Sequence, residues 1–171
     1  MNDRVEIAEY DPQWPLTFDE IAGELVTALG PLALRIEHVG STAVPGLAAK
    51  PIIDIDVVIE SWNHLPRVTD ALRPLGYQHA GNQGIAQREA FTTPPDRRAH
   101  HLYVCATDSR ELDRHLTFRN TLRNHPDTAR TYAQLKKDNA RRFGTDRVAY
   151  TEAKSAFVED VLTRSGRTNP S

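Results

Sequence analysis

The sequence predicts an α+β domain: a mixed sheet with flanking helices in the first two thirds, and helices alone in the last third. Three observations carry this. The runs Ala33 to Val39 and Ile52 to Glu60 are apolar, rich in β-branched residues and too short for helices. Segments with helical spacing precede and follow them. After Ser109 each remaining segment repeats its apolar residues at helical spacing, with Pro126 and Gly144 as breaks.

In chain order, Arg4 to Ala8 reads as a short strand, and turns follow at Asp11-Pro12 and Trp14-Pro15. Phe18, Ile21, Ala22, Leu25 and Leu29 then mark a helix that Gly30-Pro31 stops. Ala33 to Val39 is the first core strand. Gly40 to Lys50 is a loop, with Pro45-Gly46 inside it, and Ile52 to Glu60 is the second core strand. Leu65 to Leu75 reads as a helix ended near Gly76. Arg88 to Thr92 and His101 to Ala106 read as strands, separated by Thr93-Pro94-Pro95-Asp96. Three helices complete the chain, at roughly Ser109 to Asn124, Pro126 to Phe143 and Asp146 to Arg164. The expected organisation is one domain over 1–166 and a polar tail over 167–171.

Composition narrows the class of function. A chain of 171 residues, 39% hydrophobic and 26% charged, suits one domain with its own core. Net charge is −2, so no global basic field points to duplex nucleic acid. The single cysteine, Cys105, fits a reducing compartment, and no apolar stretch is long enough to span a membrane. The expectation is a cytoplasmic protein. Nothing in the sequence specifies its oligomeric state.

Chemistry concentrates in Pro51 to Ile59. Residues i and i+2 of a strand share a face, so Asp54 and Asp56 point the same way. Such a pair repels itself and is costly to bury. Apolar residues on both faces of the strand argue against solvent-facing aspartates. A cation between them resolves the conflict, and Mg²⁺ or Mn²⁺, hard ions with oxygen ligands, suit the pair. Fourteen positions before Asp54 comes Gly40-Ser41, a turn whose backbone N–H groups and hydroxyl can cradle phosphate. The expected ligand is a nucleoside triphosphate or another phosphate-bearing small molecule.

The run from Glu37-His38-Val39-Gly40-Ser41-Thr42 through Pro45-Gly46-Leu47 to Lys50-Pro51-Ile52-Ile53-Asp54-Ile55-Asp56 closely resembles the signature of the GrpB family. Tyr10 to Pro15, His100 to Cys105, Phe118-Arg119, Leu122-Arg123, Tyr132, Leu135-Lys136, Tyr150 and Lys154 resemble it too, so the likeness spans nearly the whole chain. It implies a nucleotidyltransferase-like fold, with a Gly-Ser turn and an Asp-x-Asp strand at the active centre of proven relatives. The domain also occurs fused to dephospho-coenzyme A kinase. One departure stands out: the family often has Asp then Tyr after Phe-Arg, where this chain has Asn120 and Thr121.

Active nucleotidyltransferases usually supply a third carboxylate from a neighbouring strand. Glu89, on the strand Arg88 to Thr92, is the candidate; the competing reading is a surface glutamate paired with Arg88. Lys50 lies close to the carboxylates in sequence and could contact phosphate, or else is a solvated loop lysine. Each C-terminal helix carries one cation on its apolar stripe: Arg119 among Leu112, His115, Leu116 and Leu122; Lys136 among Ala129, Tyr132, Ala133 and Ala140; Lys154 among Tyr150, Phe157, Val158 and Val161. Three such cations suggest convergence on one anionic site; separate structural ion pairs are the alternative. His38 reads as a core histidine, His101 as facing the site, and Cys105 as an ordinary buried thiol.

Two functions follow. One is metal-dependent transfer of a nucleotidyl group from a nucleoside triphosphate to an acceptor. The other is a binding module for a nucleotide, a coenzyme A-like ligand or another anion, without turnover, in an accessory role.

Overall fold

The computed structural model describes residues 4–166; the tail expected at 167–171 lies outside the described residues. The class is α+β as expected. Helix α1 (Gln13–Leu29) leads into β1 (Arg35–Val39) and β2 (Ile53–Ile59), followed by α2 (Leu65–Leu72), β3 (Gln78–His79), β4 (Glu89–Thr92) and β5 (His100–Ala106). Helices α3 (Arg110–Asn124), α4 (Pro126–Phe143) and α5 (Arg147–Arg164) form the last third.

The five strands lie in the order β1-β2-β5-β4-β3. β2 and β5 run parallel at the centre, and the other neighbours are antiparallel. Alternation along the strands divides the sheet into two unlike faces. Ile53, Ile55, Val57 and Ile59 of β2, with Leu102 and Val104 of β5, pack against Ile21, Leu25 and Leu29 of α1 and Val68 and Leu72 of α2. The residues between them, Asp54, Asp56, His101 and Tyr103, face the other way, toward α3, α4 and α5.

Local chemistry explains where the elements begin and stop. Trp14-Pro15 belongs to the first turn of α1 and is not a separate turn. Proline is tolerated there because its missing N–H would have had no helical partner. α2 passes into a 3-10 turn, Arg73–Leu75, because Pro74 cannot continue the α-helical ladder. The side chains of Ser109 and Asp146 cap α3 and α5, accepting from the N–H groups of Leu112 and Ala149. Arg4 to Ala8 forms no strand. Among the described residues its β-bridge is a single one, Ala8 with Ala49, and Val5 N–H instead donates to the carbonyl of Gly144, so no extended edge lies alongside it.

That loop holds the two halves together. Val44 and Leu47 insert among Leu122 of α3 and Tyr132 of α4, with Phe118 and Phe157 packed alongside. Its burial brings the Gly40-Ser41 turn and Lys50 against the C-terminal helices.

Candidate functional site

A cleft of about 490 Å³ opens between the polar face of the sheet and helices α3 to α5. At its edge β1 ends in Gly40, whose φ is +74°, followed by a 3-10 turn, Ser41–Ala43. A Cβ built on Gly40 would stand 2.3 Å from Asp54 Oδ2. Glycine is therefore required twice, for its left-handed backbone and for the carboxylate pressed against it.

Asp54 and Asp56 share the face toward the cleft, but their surroundings differ. Asp54 is partly exposed, lines the cleft and receives a hydrogen bond from His101 Nδ1 at 2.8 Å. Asp56 is 0% exposed. Its Oδ2 lies 2.6 Å from His115 Nδ1, and its buried Oδ1 has no partner among the described residues. The other ring nitrogen of His115 stands 3.2 Å from Glu111. Burial opposes a charged imidazole, yet hydrogen bonds to two carboxylates carry His115 up to about 9. Burial pushes Asp56 up and the hydrogen bond from His115 pulls it back. Both ring nitrogens meet carboxylates, an arrangement that favours the charged imidazole.

The opposite wall is cationic. Lys50, Lys136 and Lys154 all line the cleft. The ammonium groups of Lys50 and Lys154 lie 4.5 and 5.0 Å from the centre of one ring, Tyr150, and Lys136 lies 4.7 Å from that of Tyr132. Lys136 is 2% exposed and donates to the carbonyl of Ala48 at 2.5 Å. Desolvation, followed by the charges of Lys154 and Lys50, lowers it to about 7. Lys50 and Lys154 are lowered too, by burial first and by a neighbouring cation second. Three crowded cations with depressed pKa values form a pocket that gains when an anion enters.

The other sequence candidates are placed elsewhere. Glu89 pairs in register with Val104, on the apolar side of the sheet, and its carboxylate meets His79 at 2.6 Å. It does not join the aspartates, because a one-residue offset along a strand reverses the face. Ala90 takes the position beside Tyr103. Arg119 leaves its helical stripe to bond Glu37 at 2.8 Å and the carbonyl of His38 at 2.9 Å, so two of the three stripe cations share the cleft and the third clamps α3 to β1. Asn120 and Thr121 line a different groove, between α3, α4 and α5, so the departure from the family pattern does not touch the cleft. His38 is a core residue, stacked on Phe18 and bonded to Thr42 Oγ1, and desolvation followed by the charge of Arg123 lowers it to about 4. Burial pushes the Cys105 thiol up to about 12, leaving it unreactive.

Sequence reasoning missed Glu111, Arg88 and Tyr103, and treated His115 only as a stripe residue. The pair Glu111 and His115, four apart on one helix face, was a legible signal. Among the described residues, no group of three or more histidine, cysteine or carboxylate side chains is arranged to hold a metal by itself. No described helix is long and apolar enough to cross a membrane.

The model of the family described as GrpB protein matches residues 4–164. The chain belongs to the GrpB family. The UPF0157 protein PA4798 of Pseudomonas aeruginosa is 45% identical over 168 residues, covering 96% of this chain and 69% of that protein. YqkA of Bacillus subtilis is 35% identical over 156 residues, covering 91% of this chain; the chain spans 46% of YqkA's length. A crystal structure of conserved protein GrpB from Enterococcus faecalis superposes with a TM-score of 0.84 at 36% identity, covering 94% of this chain and 96% of that one. A dephospho-CoA kinase of Mycolicibacterium paratuberculosis is 28% identical over 186 residues, and those residues span 46% of its length. Chains of the Cid1 poly(U) polymerase align more distantly, one of them with a TM-score of 0.49 and 12% identity over 86% of this chain and 50% of that one.

Proposed function

We propose that this GrpB protein binds a phosphate-bearing small molecule, a nucleotide, in the cleft between the sheet and the C-terminal helices. One observation carries the reading: Lys50, Lys136 and Lys154 reach the same cleft from a loop and two helices and crowd one another there. Crowding like charges in a partly buried space is destabilising unless an anion is the intended occupant. The Gly40-Ser41 turn adds backbone that can approach phosphate closely. Relatives named dephospho-CoA kinase add coenzyme A precursors, by analogy, to the ligands worth testing.

The test is calorimetric titration of ATP, the other nucleoside triphosphates and coenzyme A precursors, with and without Mg²⁺ or Mn²⁺. Lys154→Met keeps the stem and removes the charge, and it should weaken binding at least about tenfold, one charge-assisted contact. Unchanged affinity in that variant would reject the cleft as the binding site.

A second reading, metal-dependent nucleotidyl transfer from a nucleoside triphosphate to an acceptor, is favoured by Asp54 and Asp56. The two share one face, and the buried Asp56 Oδ1 has no partner among the described residues. Two carboxylates fit a Mg²⁺ or Mn²⁺ ion that takes its remaining ligands from water and a bound triphosphate, not an ion caged by protein alone. Such an ion, when bound, would lower the pKa of an attacking hydroxyl and offset charge on the leaving pyrophosphate. The lysines would hold the phosphate chain, and His101 would orient Asp54. Metal affinity should thus be weak alone and strong with ATP, and Asp54→Asn with Asp56→Asn should remove the metal-dependent part. Metal-independent ATP binding leaves the binding-module reading standing by itself.

A further inference from the structure

Arg88 lines the same cleft, yet the phosphate site has no use for it. The residue is 8% exposed, and its fully buried Nε has no hydrogen-bond partner among the described residues. Its guanidinium lies 4.1 Å from the centre of the Tyr103 ring, a stack that helps hold it in place. An orphaned donor on a buried guanidinium is costly, and an anion beside the group would offset part of that cost by its charge.

The backbone that presents Arg88 is held in an unusual conformation. Gln87 has φ +63°, a left-handed value uncommon for a residue other than glycine. Its carbonyl accepts from Ser109 Oγ at 2.6 Å, and its side-chain oxygen accepts from the N–H of Arg110 at 2.7 Å. Those bonds latch the start of β4 to the start of α3, the helix that carries Glu111 and His115. Local strain secured from two directions marks a side chain whose aim matters.

Register sets Arg88 apart from the lysines. Glu89 pairs with Val104 and Ala90 with Tyr103, so Arg88 enters the sheet level with Cys105, whose partner on β2 is Val58. Val58 lies four residues after Asp54, and Lys50 lies four residues before it. The two cations therefore approach the carboxylate row from opposite ends. Their electrostatic neighbours differ accordingly: Arg88 acts on Asp56, Tyr103 and Glu111, whereas the lysines act on one another and feel Asp54.

We propose that Arg88 is a second oxyanion subsite of the cleft, separate from the three-lysine subsite, and that what binds there carries two separated anionic groups. The group at Arg88 is a phosphate or carboxylate that meets the guanidinium where the residue lines the cleft. This rests on the anion-binding reading of the cleft and specifies its ligand: either one nucleotide anionic at both ends, or a nucleotide and an anionic acceptor.

The test is proton–nitrogen NMR of the arginine Nε–H groups, with inorganic phosphate, acetate and ATP titrated into the intact protein. Arg88→Lys assigns the Arg88 signal by its loss, which avoids dependence on a variant that may unfold. Phosphate or acetate should move that signal, and Lys154→Met should leave its midpoint unchanged while weakening ATP binding. Arg88→Met, where it folds, should weaken about tenfold whichever ligand the Arg88 signal reports, phosphate where ATP leaves it bound and ATP where ATP displaces it. Phosphate still binding at Arg88 in ATP-saturated protein identifies a second molecule there; ATP displacing it identifies a nucleotide that spans both subsites. If ATP binds but neither phosphate, acetate nor ATP moves the Arg88 signal, the second subsite is overturned and the lysine site stands. If ATP does not bind at all, both fall.

Discussion

The two faces of the central sheet are built from the same strands and do opposite things. On one, Ile53, Ile55, Val57 and Ile59 meet the apolar stripes of α1 and α2. On the other, one residue out of step, Asp54, Asp56, His101 and Tyr103 face lysines and an imidazolium. The first face carries stability through apolar burial. The second gives up some stability to keep charges close together without enough partners. A strand with a period of two lets neighbouring residues serve these separate ends, so stability and binding can be perturbed independently.

The sharpest way to break the contrast is on the apolar face. Ile55→Ala should cost about 2–5 kcal/mol, read by thermal or denaturant unfolding, with ATP affinity unchanged while the protein stays folded. A parallel loss of affinity at full folding would show that the faces are coupled.

Gly40→Ala sits where the two regions meet. Its left-handed backbone and the approach of Asp54 Oδ2 both oppose a Cβ, so a stability loss of about 1–3 kcal/mol should accompany lost ATP binding.

Lys136→Met should act in the opposite sense. Because Lys136 is lowered to about 7 in the fold, the unfolded chain holds its proton more tightly between that pH and its ordinary value near 10.5. Stability of the wild type should therefore rise with pH across that window through this group, and the variant should lose this contribution to the slope. The variant should be at least as stable at pH 7 and bind ATP more weakly. Binding to the wild type above pH 7 should take up a proton, read from the dependence of calorimetric enthalpy on the buffer.

The smallest effect is expected where the chain departs from its family. Asn120→Asp with Thr121→Tyr alters the groove between α3, α4 and α5, and ATP affinity should change within about 0.5 kcal/mol. A larger change would tie that groove to the cleft.

Much of this was legible in order along the chain. The Gly40-Ser41 turn, the shared face of Asp54 and Asp56, and the cations Lys136 and Lys154 on apolar stripes follow from periodicity and the cost of burying charge. Glu89 was misread because a strand's face depends on its pairing register with β5, which Glu89 and its neighbours do not encode. Arg119 was assigned by its stripe, but a long side chain reaches for the nearest acceptor, here Glu37 and the carbonyl of His38.

By itself the sequence determined the α+β class, the three C-terminal helices, the polar and apolar alternation of β2 and membership of a family. These rest on local spacing and on side-chain chemistry, which act wherever the chain is. Only the tertiary structure decided that His115 bridges Asp56 and Glu111, that Lys50 and Lys154 share the Tyr150 ring, and that Arg88 stacks on Tyr103 with Nε unsatisfied. The decisive partners, Asp56 with His115, Lys50 with Tyr150 and Arg88 with Tyr103, lie beyond the reach of local spacing. Their geometry is set by how β4 pairs with β5 and how the buried β1–β2 loop seats the helices, and a charge's pKa and partner depend on that distance and burial.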